Sequence, residues 1–161
     1  MFKVNDYVVY NYSVCKVKEI KEINNNMYYV LVPVIDESLT IKAPTTQENV
    51  NIRPLLSKSD VKKLFKKMPD IELIKLKDHS LEAEYKRLLT TGNREDLVKI
   101  IKTTYIRNKK RQDNGKKIGE KDDIYFNIAE KSLYNELALV LDKSVEQIHD
   151  MVVKALQNSK E

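Results

Sequence analysis

Residues 99–117 hold eight basic side chains, Lys99, Lys102, Arg107, Lys109, Lys110, Arg111, Lys116 and Lys117, against one acid, Asp113. Cations at this density suit a polyanion, because phosphate contacts need positive charge at groove spacing rather than a catalytic geometry. At about 100° per residue, Lys99, Lys102, Lys109 and Lys110 fall on one arc of a helix, opposite Leu97, Ile101 and Thr104. Lys116, Lys117 and Lys121 carry the charge past a turn, and Lys86 and Arg87 add to it from the preceding helix. The competing interpretation is an ordinary solvated helix face.

Residues of the kind enzymes use are sparse. His79 and His149 are the only histidines, and with the lone Cys15 they make no zinc-ligand spacing. Gly92, Gly115 and Gly119 are the only glycines, too few and too far apart for a phosphate-cradling loop. Carboxylates are common but sit mostly beside lysines on polar helix faces. Tyr85, Tyr105, Tyr125 and Phe126 could stack on bases; their helical spacing favours packing in a core. The expectation is a protein that is not an enzyme, holds no cofactor or metal, and acts as a monomer.

The elements that must position these residues fall into two blocks. Tyr7–Tyr10 and residues 14–20 read as strands. Asn24, Asn25 and Asn26 form a turn cluster, since Asn tolerates left-handed backbone. Residues 27–34 are a nearly continuous apolar run that fits a central strand. Leu39, Thr40, Ile41, Lys42 and Ala43 alternate apolar and polar with period two, and Pro44 follows, which cannot donate to a ladder. That run is expected at a sheet edge. Residues 50–53 make a short fifth strand ended by Pro54.

Helical signals then take over. Ser57 with Asp60 resembles a capping box ahead of Val61, Leu64 and Phe65, and Pro69 stops that helix. Leu81, Tyr85, Leu88 and Leu89 share one face of a second helix, with Gly92 placed as its C-cap. Asn93 opens a third, with Leu97, Ile100, Ile101, Thr104 and Tyr105 inward, ending at Asn114-Gly115. A fourth starts near Gly119 and carries Ile124, Ile128, Leu133, Leu137, Val140 and Leu141. Ser144 with Gln147 caps a fifth, with Val145, Ile148, Val152 and Leu156 inward.

Strands therefore precede helices without alternating, which argues for an α+β chain of two domains rather than a parallel βαβ sheet. Residues 1–56 are expected to form a small SH3-like or Tudor-like β-barrel, and residues 57–161 an all-α domain of about five helices. The first block is neutral, with six basic and six acidic residues; the second carries the whole net charge of +5. No apolar run approaches the roughly 18–20 residues needed to span a bilayer. The first thirty residues carry charges throughout, unlike a signal peptide. A reducing cytoplasm and no membrane contact are expected. Cys15, in an apolar strand, reads as a core residue.

Taken in order, these segments resemble the CarD/CdnL family of bacterial RNA polymerase-binding transcription regulators, whose barrel also occurs in the transcription-repair coupling factor. The resemblance rests on Phe2-x-Val4-x-Asp6-x-Val8-Val9-Tyr10, then Tyr28-Tyr29-Val30-Leu31, then Arg53-Pro54-Leu55-Leu56-Ser57-Lys58. It continues through residues 80–97, 100–107, Lys116-Lys117-Ile118 and residues 129–141 with Glu136-Leu137-Ala138-Leu139. It implies a regulator that is cytoplasmic and nucleoid-associated. Its fourth strand, Leu39 to Ala43, would dock on the polymerase β subunit, with Lys42 facing an acidic partner. Its helical half would hold promoter DNA and modulate open-complex stability.

The chain departs from that family at several points. Asn5 replaces a glycine, Asn11 a proline, Tyr12-Ser13 a His-Gly, and Ala43 a branched residue before Pro44. Gly119 stands where a capping serine is usual. The family often places a tryptophan against the DNA minor groove, and this chain has none. The matching region, residues 74–79, offers Lys75, Lys77 and His79 instead, so Lys75 joins the expected DNA contacts. Without the resemblance, a basic helical tail on an SH3-like barrel also suits an RNA- or ribosome-associated adaptor. A hydrolase with a carboxylate pair assembled by the fold is a third reading.

Overall fold

The computed structural model describes residues 1–46, 52–91 and 93–157. The chain is α+β and divides into two compact units, Met1–Leu55 and Leu56–Glu161. The first unit is a five-stranded antiparallel sheet: β1 (Tyr7–Tyr10), β2 (Ser13–Ile23), β3 (Asn26–Pro33), β4 (Ile41–Pro44) and β5 (Ile52–Pro54). Their order across the sheet is β4-β3-β2-β1-β5.

Asparagines make its turns. Asn24 and Asn25 lie at φ +52° and +67° and form a two-residue loop between Ile23 and Asn26, which pair. Positive φ at both central residues gives a hairpin the right-handed twist its strands require. Asn11, at φ +55°, opens the equally short loop between Tyr10 and Ser13. Proline, fixed near −65°, could not take that conformation. Asn5, at φ +76°, turns the opening segment so that its N–H donates to the Val17 carbonyl at 2.7 Å.

One face of the sheet buries Val8, Cys15, Val17, Tyr29, Leu31 and Ala43, with Phe2, Tyr10, Ile20, Ile41 and Ile52 packed around them. Val17 and Ile20 are three apart, which period two alone would place on opposite faces. A β-bulge reconciles them: Val17 pairs with Leu31 and Glu19 with Val30, leaving Lys18 as the extra residue. The Cys15 thiol lies in this core, where burial pushes it up to about 11. Such a thiol is a packing group and not a nucleophile.

β4 begins two residues later than the alternating pattern predicts. The side chain of Asp36 accepts from both the N–H and the hydroxyl of Ser38, and the Leu39 N–H donates to the Asp36 carbonyl. This turn captures Leu39 and leaves Thr40 outside the strand. Val50 of the expected fifth strand lies outside the described residues, as does the Gly92 expected to cap the second helix.

The second unit holds α1 (Lys58–Lys67), a 3-10 turn (Met68–Asp70), α2 (Asp78–Thr90), α3 (Arg94–Asp113), α4 (Glu120–Leu141) and α5 (Val145–Gln157). Caps set the starts. The Ser57 hydroxyl accepts from the Asp60 N–H at 3.0 Å, and the Asn93 side chain accepts from the Glu95 N–H at 2.8 Å. Ser144 and Gln147 bond reciprocally, each side chain accepting the other's N–H, a complete capping box. α4 has no side-chain cap at Gly119. A Cβ there would collide with the Arg111 guanidinium, so the glycine makes room for that arginine.

Val61, Leu64, Leu81, Tyr85, Leu97, Ile100, Leu133, Leu137, Ile148 and Val152 are among the residues of one core shared by all five helices. α3 crosses its middle: Leu97, Val98 and residues 100–104 are all buried. Two expected core residues face outward instead. Ile124 is 49% exposed and Val145 is 44% exposed. α4 turns inward one residue later, at Tyr125, and on through Ala129. Val145 lies in the first turn of α5, before the buried stripe that begins at Ile148.

α4 ends at Asp142 in left-handed backbone, φ +52° and ψ +52°, with its N–H on the Ala138 carbonyl. An acid at a helix C-terminus also meets the negative end of the helix dipole. Asp142→Gly relieves both, and is expected to stabilise the chain by about 1 kcal/mol. A higher urea midpoint with an unchanged slope is the check.

Candidate binding surfaces

β4 lies at one end of the sheet, with β3 on one side and no strand on the other among the described residues. Lys42 is exposed and pairs with Val30, while Leu39 and Thr40 are exposed just before the strand. Ile41 and Ala43 point the other way. Ala43 is fully buried and Ile41 packs on the sheet core. Of the five residues expected to touch a partner, Leu39, Thr40 and Lys42 therefore present side chains, and Ile41 and Ala43 do not.

The cationic arc is thinner than its sequence suggests. Lys102 does not face solvent: it is fully buried, and its ammonium donates to the carbonyls of Ile71 at 2.7 Å, Pro69 at 3.1 Å and Met68 at 3.5 Å. The helical-wheel argument fails because α3 is enclosed on every side at this level, so no arc is left for solvent. Arg107 and Arg111 also turn inward, to Asp122. Lys86 and Lys121 both reach Glu82, at 3.4 and 3.3 Å, and Arg87 is paired with Glu84. These surface pairs partly neutralise the contribution of α2.

Lys75, Lys109, Lys110, Lys116 and Lys117 are exposed, Lys99 is half-buried, and none of them has an ion-pair partner among the described residues. Lys109 and Lys110 lie in the last turns of α3, and Lys116 and Lys117 follow Gly115, at φ +71°. The tip between α3 and α4 thus carries four uncommitted ammonium groups, with Lys99 farther back on α3.

Two buried carboxylates, invisible in the periodicity, organise this unit. Asp122 accepts from the Tyr85 hydroxyl at 2.8 Å, from Arg107 Nε at 2.9 Å and from Arg111 at 2.6 Å. Arg107 reaches on to Asp78, and Arg111 to Asn108, whose side-chain oxygen also accepts the Gly119 N–H. Burial alone would raise the Asp122 carboxyl. The bonds from Arg111, Arg107 and Tyr85 outweigh it and hold the group below its ordinary value. Burial first, and then the bond to the Asp122 carboxylate, push the Tyr85 hydroxyl up against the opposing pull of Arg107 and Arg111. The one available signal was Arg107 and Arg111 four apart, a spacing that puts two guanidinium groups on one helix face.

Glu136, 1% exposed, is gripped by both arms of the Arg94 guanidinium, at 2.9 and 2.6 Å, and accepts the Leu56 N–H at 2.8 Å. A bidentate fork of this kind joins the starts of α3 and of the helical unit to the C-terminal third of α4. Tyr85 and Tyr125, with ring centroids 5.3 Å apart, are buried in the core and offer no face for stacking; Phe126 is partly buried against it. His149 lies at the boundary, 3.8 Å from Glu130 and edge-on to Tyr134.

Among the described residues, no group of three His, Cys, Asp or Glu side chains could hold a metal ion, and no helix is long and apolar enough to cross a membrane. No protein-family profile matches the chain, and no curated protein sequence matches it.

Removing one member of a buried pair leaves the other uncompensated. Glu136→Ala is expected to cost about 3–5 kcal/mol by this mechanism, seen as a lower urea midpoint of the helical transition. For Asp122 the sign follows from its lowered value. Its contribution is full above the unfolded carboxylate value, about 3.9, and is lost as pH falls through the folded value. The helical transition should weaken as pH drops from about 5 toward about 3, and Asp122→Asn should flatten that dependence. An equally steep acid loss in Asp122→Asn would contradict the assignment.

Proposed function

We propose that this chain is a non-enzymatic transcription regulator of the CarD/CdnL kind. Its first unit is a Tudor-like barrel that tethers it to the β subunit of bacterial RNA polymerase through β4. Its second unit holds promoter DNA by backbone contacts. The mechanism is one of differential binding: contacts made better in the opened promoter than in the closed one shift the equilibrium between them. Location at the nucleoid follows from both partners.

The observation that carries the reading is the set of lysines left over at the α3–α4 tip. Once Lys102, Arg107 and Arg111 are taken up inside the fold, Lys109, Lys110, Lys116 and Lys117 remain exposed and unpaired among the described residues. Charges without internal partners, clustered at one end of a helix pair, fit a polyanion backbone. The β4 edge adds the second half: an exposed edge binds another strand through main-chain hydrogen bonds, and Lys42 there favours an acidic one. The bulge in β2 supports the barrel, since bulges bend and twist a strand toward closure.

Without tryptophan, open-complex stabilisation here rests on phosphate contacts rather than on an apolar wedge between base steps. The effect on open-complex lifetime is therefore modest and fades with salt. Replacing Lys109, Lys110, Lys116 and Lys117 by Ala should reduce the slope of log affinity against log salt by about 3–4 units on duplex DNA, at roughly 0.9 per lost contact. Lys86→Ala, whose partner is Glu82, should change it little.

Polymerase capture from nuclease-treated bacterial lysate tests the tether. The β subunit is expected to be retained by the wild type and weakened by Lys42→Glu with the fold intact. Ile41→Glu is the wrong probe, because Ile41 packs on the sheet core. Capture of ribosomal material that nuclease abolishes, with no polymerase, would favour an RNA-associated adaptor instead.

A further inference from the structure

Between the 3-10 turn and α2 runs a segment without regular secondary structure, residues 71–77. It is nevertheless pinned at two consecutive positions of α3. The Lys102 ammonium donates to the carbonyls of Met68, Pro69 and Ile71, and the Thr103 hydroxyl oxygen accepts the Ile74 N–H at 3.1 Å. A buried ammonium normally has a carboxylate beside it. Lys102 has no ion-pair partner among the described residues; backbone oxygens alone hold it. An ammonium has three protons, and three carbonyls receive them.

Those carbonyls belong to the 3-10 turn and the residue that ends it, and the Met68 carbonyl also accepts the Ile71 N–H. The lysine thus acts as an internal cap that arrives from another helix. Beyond the pinned stretch, Lys75, Leu76 and Lys77 are exposed, and His79 follows in the first turn of α2. Leu73 and Ile74 are half-buried beneath them. A loop held on its inner side, with cations on its outer side, presents charge without losing the entropy of ordering it on binding.

We propose that Lys102 is a positioning residue. It fixes residues 71–77 against α3 so that Lys75 and Lys77 are presented in one geometry to a phosphate backbone. The inference rests on the DNA-binding reading above for the identity of the partner, but not for the clamp itself. It also gives a use to the one lysine of the arc that cannot touch DNA.

Hydrogen exchange and DNA affinity in Lys102→Met test it together. Met keeps an unbranched stem of nearly the same length and removes the donor. The amides of residues 72–77 should exchange at least tenfold faster, with exchange in α4 and α5 unchanged. Affinity for a duplex should fall severalfold, and the loss should not add to that of the Lys75→Ala, Lys77→Ala double variant. It should add to that of Lys109→Ala, Lys110→Ala. A merely structural role would give losses additive with both pairs. Thr103→Val, which removes the second pin alone, is the fallback if Lys102→Met fails to fold; it should speed exchange at Ile74 and its neighbours and behave the same way in the affinity comparison. Unchanged exchange over residues 72–77 in the folded variant, or full additivity with Lys75 and Lys77, overturns the proposal. Faster exchange in a chain whose wild type binds no DNA overturns the DNA reading and leaves the clamp standing.

Discussion

The enclosure of α3 is the constraint on which the helical unit depends. From Leu97 to Thr104 the helix is buried on nearly every side, with only Lys99 half-exposed, so each buried polar side chain there must find a partner inside the protein. Each does. Thr104 returns its hydroxyl to the carbonyls of Ile100 and Ile101, Thr103 takes the Ile74 N–H, and Lys102 takes three carbonyls from the chain that passes over it. Farther along, Arg107 and Arg111 meet Asp122, and at the start Arg94 meets Glu136. α3 is thus tied by charge to α4 at both ends and to the connector before α2 at its middle. Apolar packing supplies the bulk of the burial; these bonds select one register for it.

The same constraint sorts the basic residues into two populations. Lys102, held by carbonyls, and Arg94, Arg107 and Arg111, held by carboxylates, are structural, and the lysines of the α3–α4 tip, which have no ion-pair partner among the described residues, are left for a partner. Lys109 and Lys110 come after the helix has left the core, and Lys116 and Lys117 sit on the turn that follows. Overall charge says little about this division. A chain of net charge +5 could bury none of its cations or several; what decides is which ones have carboxylates or carbonyls within reach.

The sequence was legible wherever local chemistry governs. The caps at Ser57, Asn93 and Ser144, the asparagine turn after β2, and the inward faces of α2 and α3 all follow from side chains acting on nearby backbone. The divide between the units, at Leu55 and Leu56, lies one residue from the boundary set by the change of periodicity. What stayed hidden depends on partners distant in the chain. Lys102 reads as surface because a helical wheel assumes one wet side, and nothing local reports that α3 has none. Asp122 and Glu136 read as surface acids because their arginines lie 11 to 42 residues away. Ile124 and Val145 were placed inward because apolar character near a helix start does not fix which way the first turn faces. The bulge at Lys18 shifts the face of every later residue in β2, and no residue type announces it.

We propose that folding takes up the inner cations and leaves the α3–α4 tip for a polyanion. Lysine side-chain resonances, followed by NMR while a short DNA duplex is added, test it residue by residue. The expected result is perturbation of Lys109, Lys110, Lys116 and Lys117 that shrinks as salt is raised, with Lys102 and Lys86 unmoved. Shifts concentrated on Lys86, or no salt-dependent shift at the tip, would contradict it.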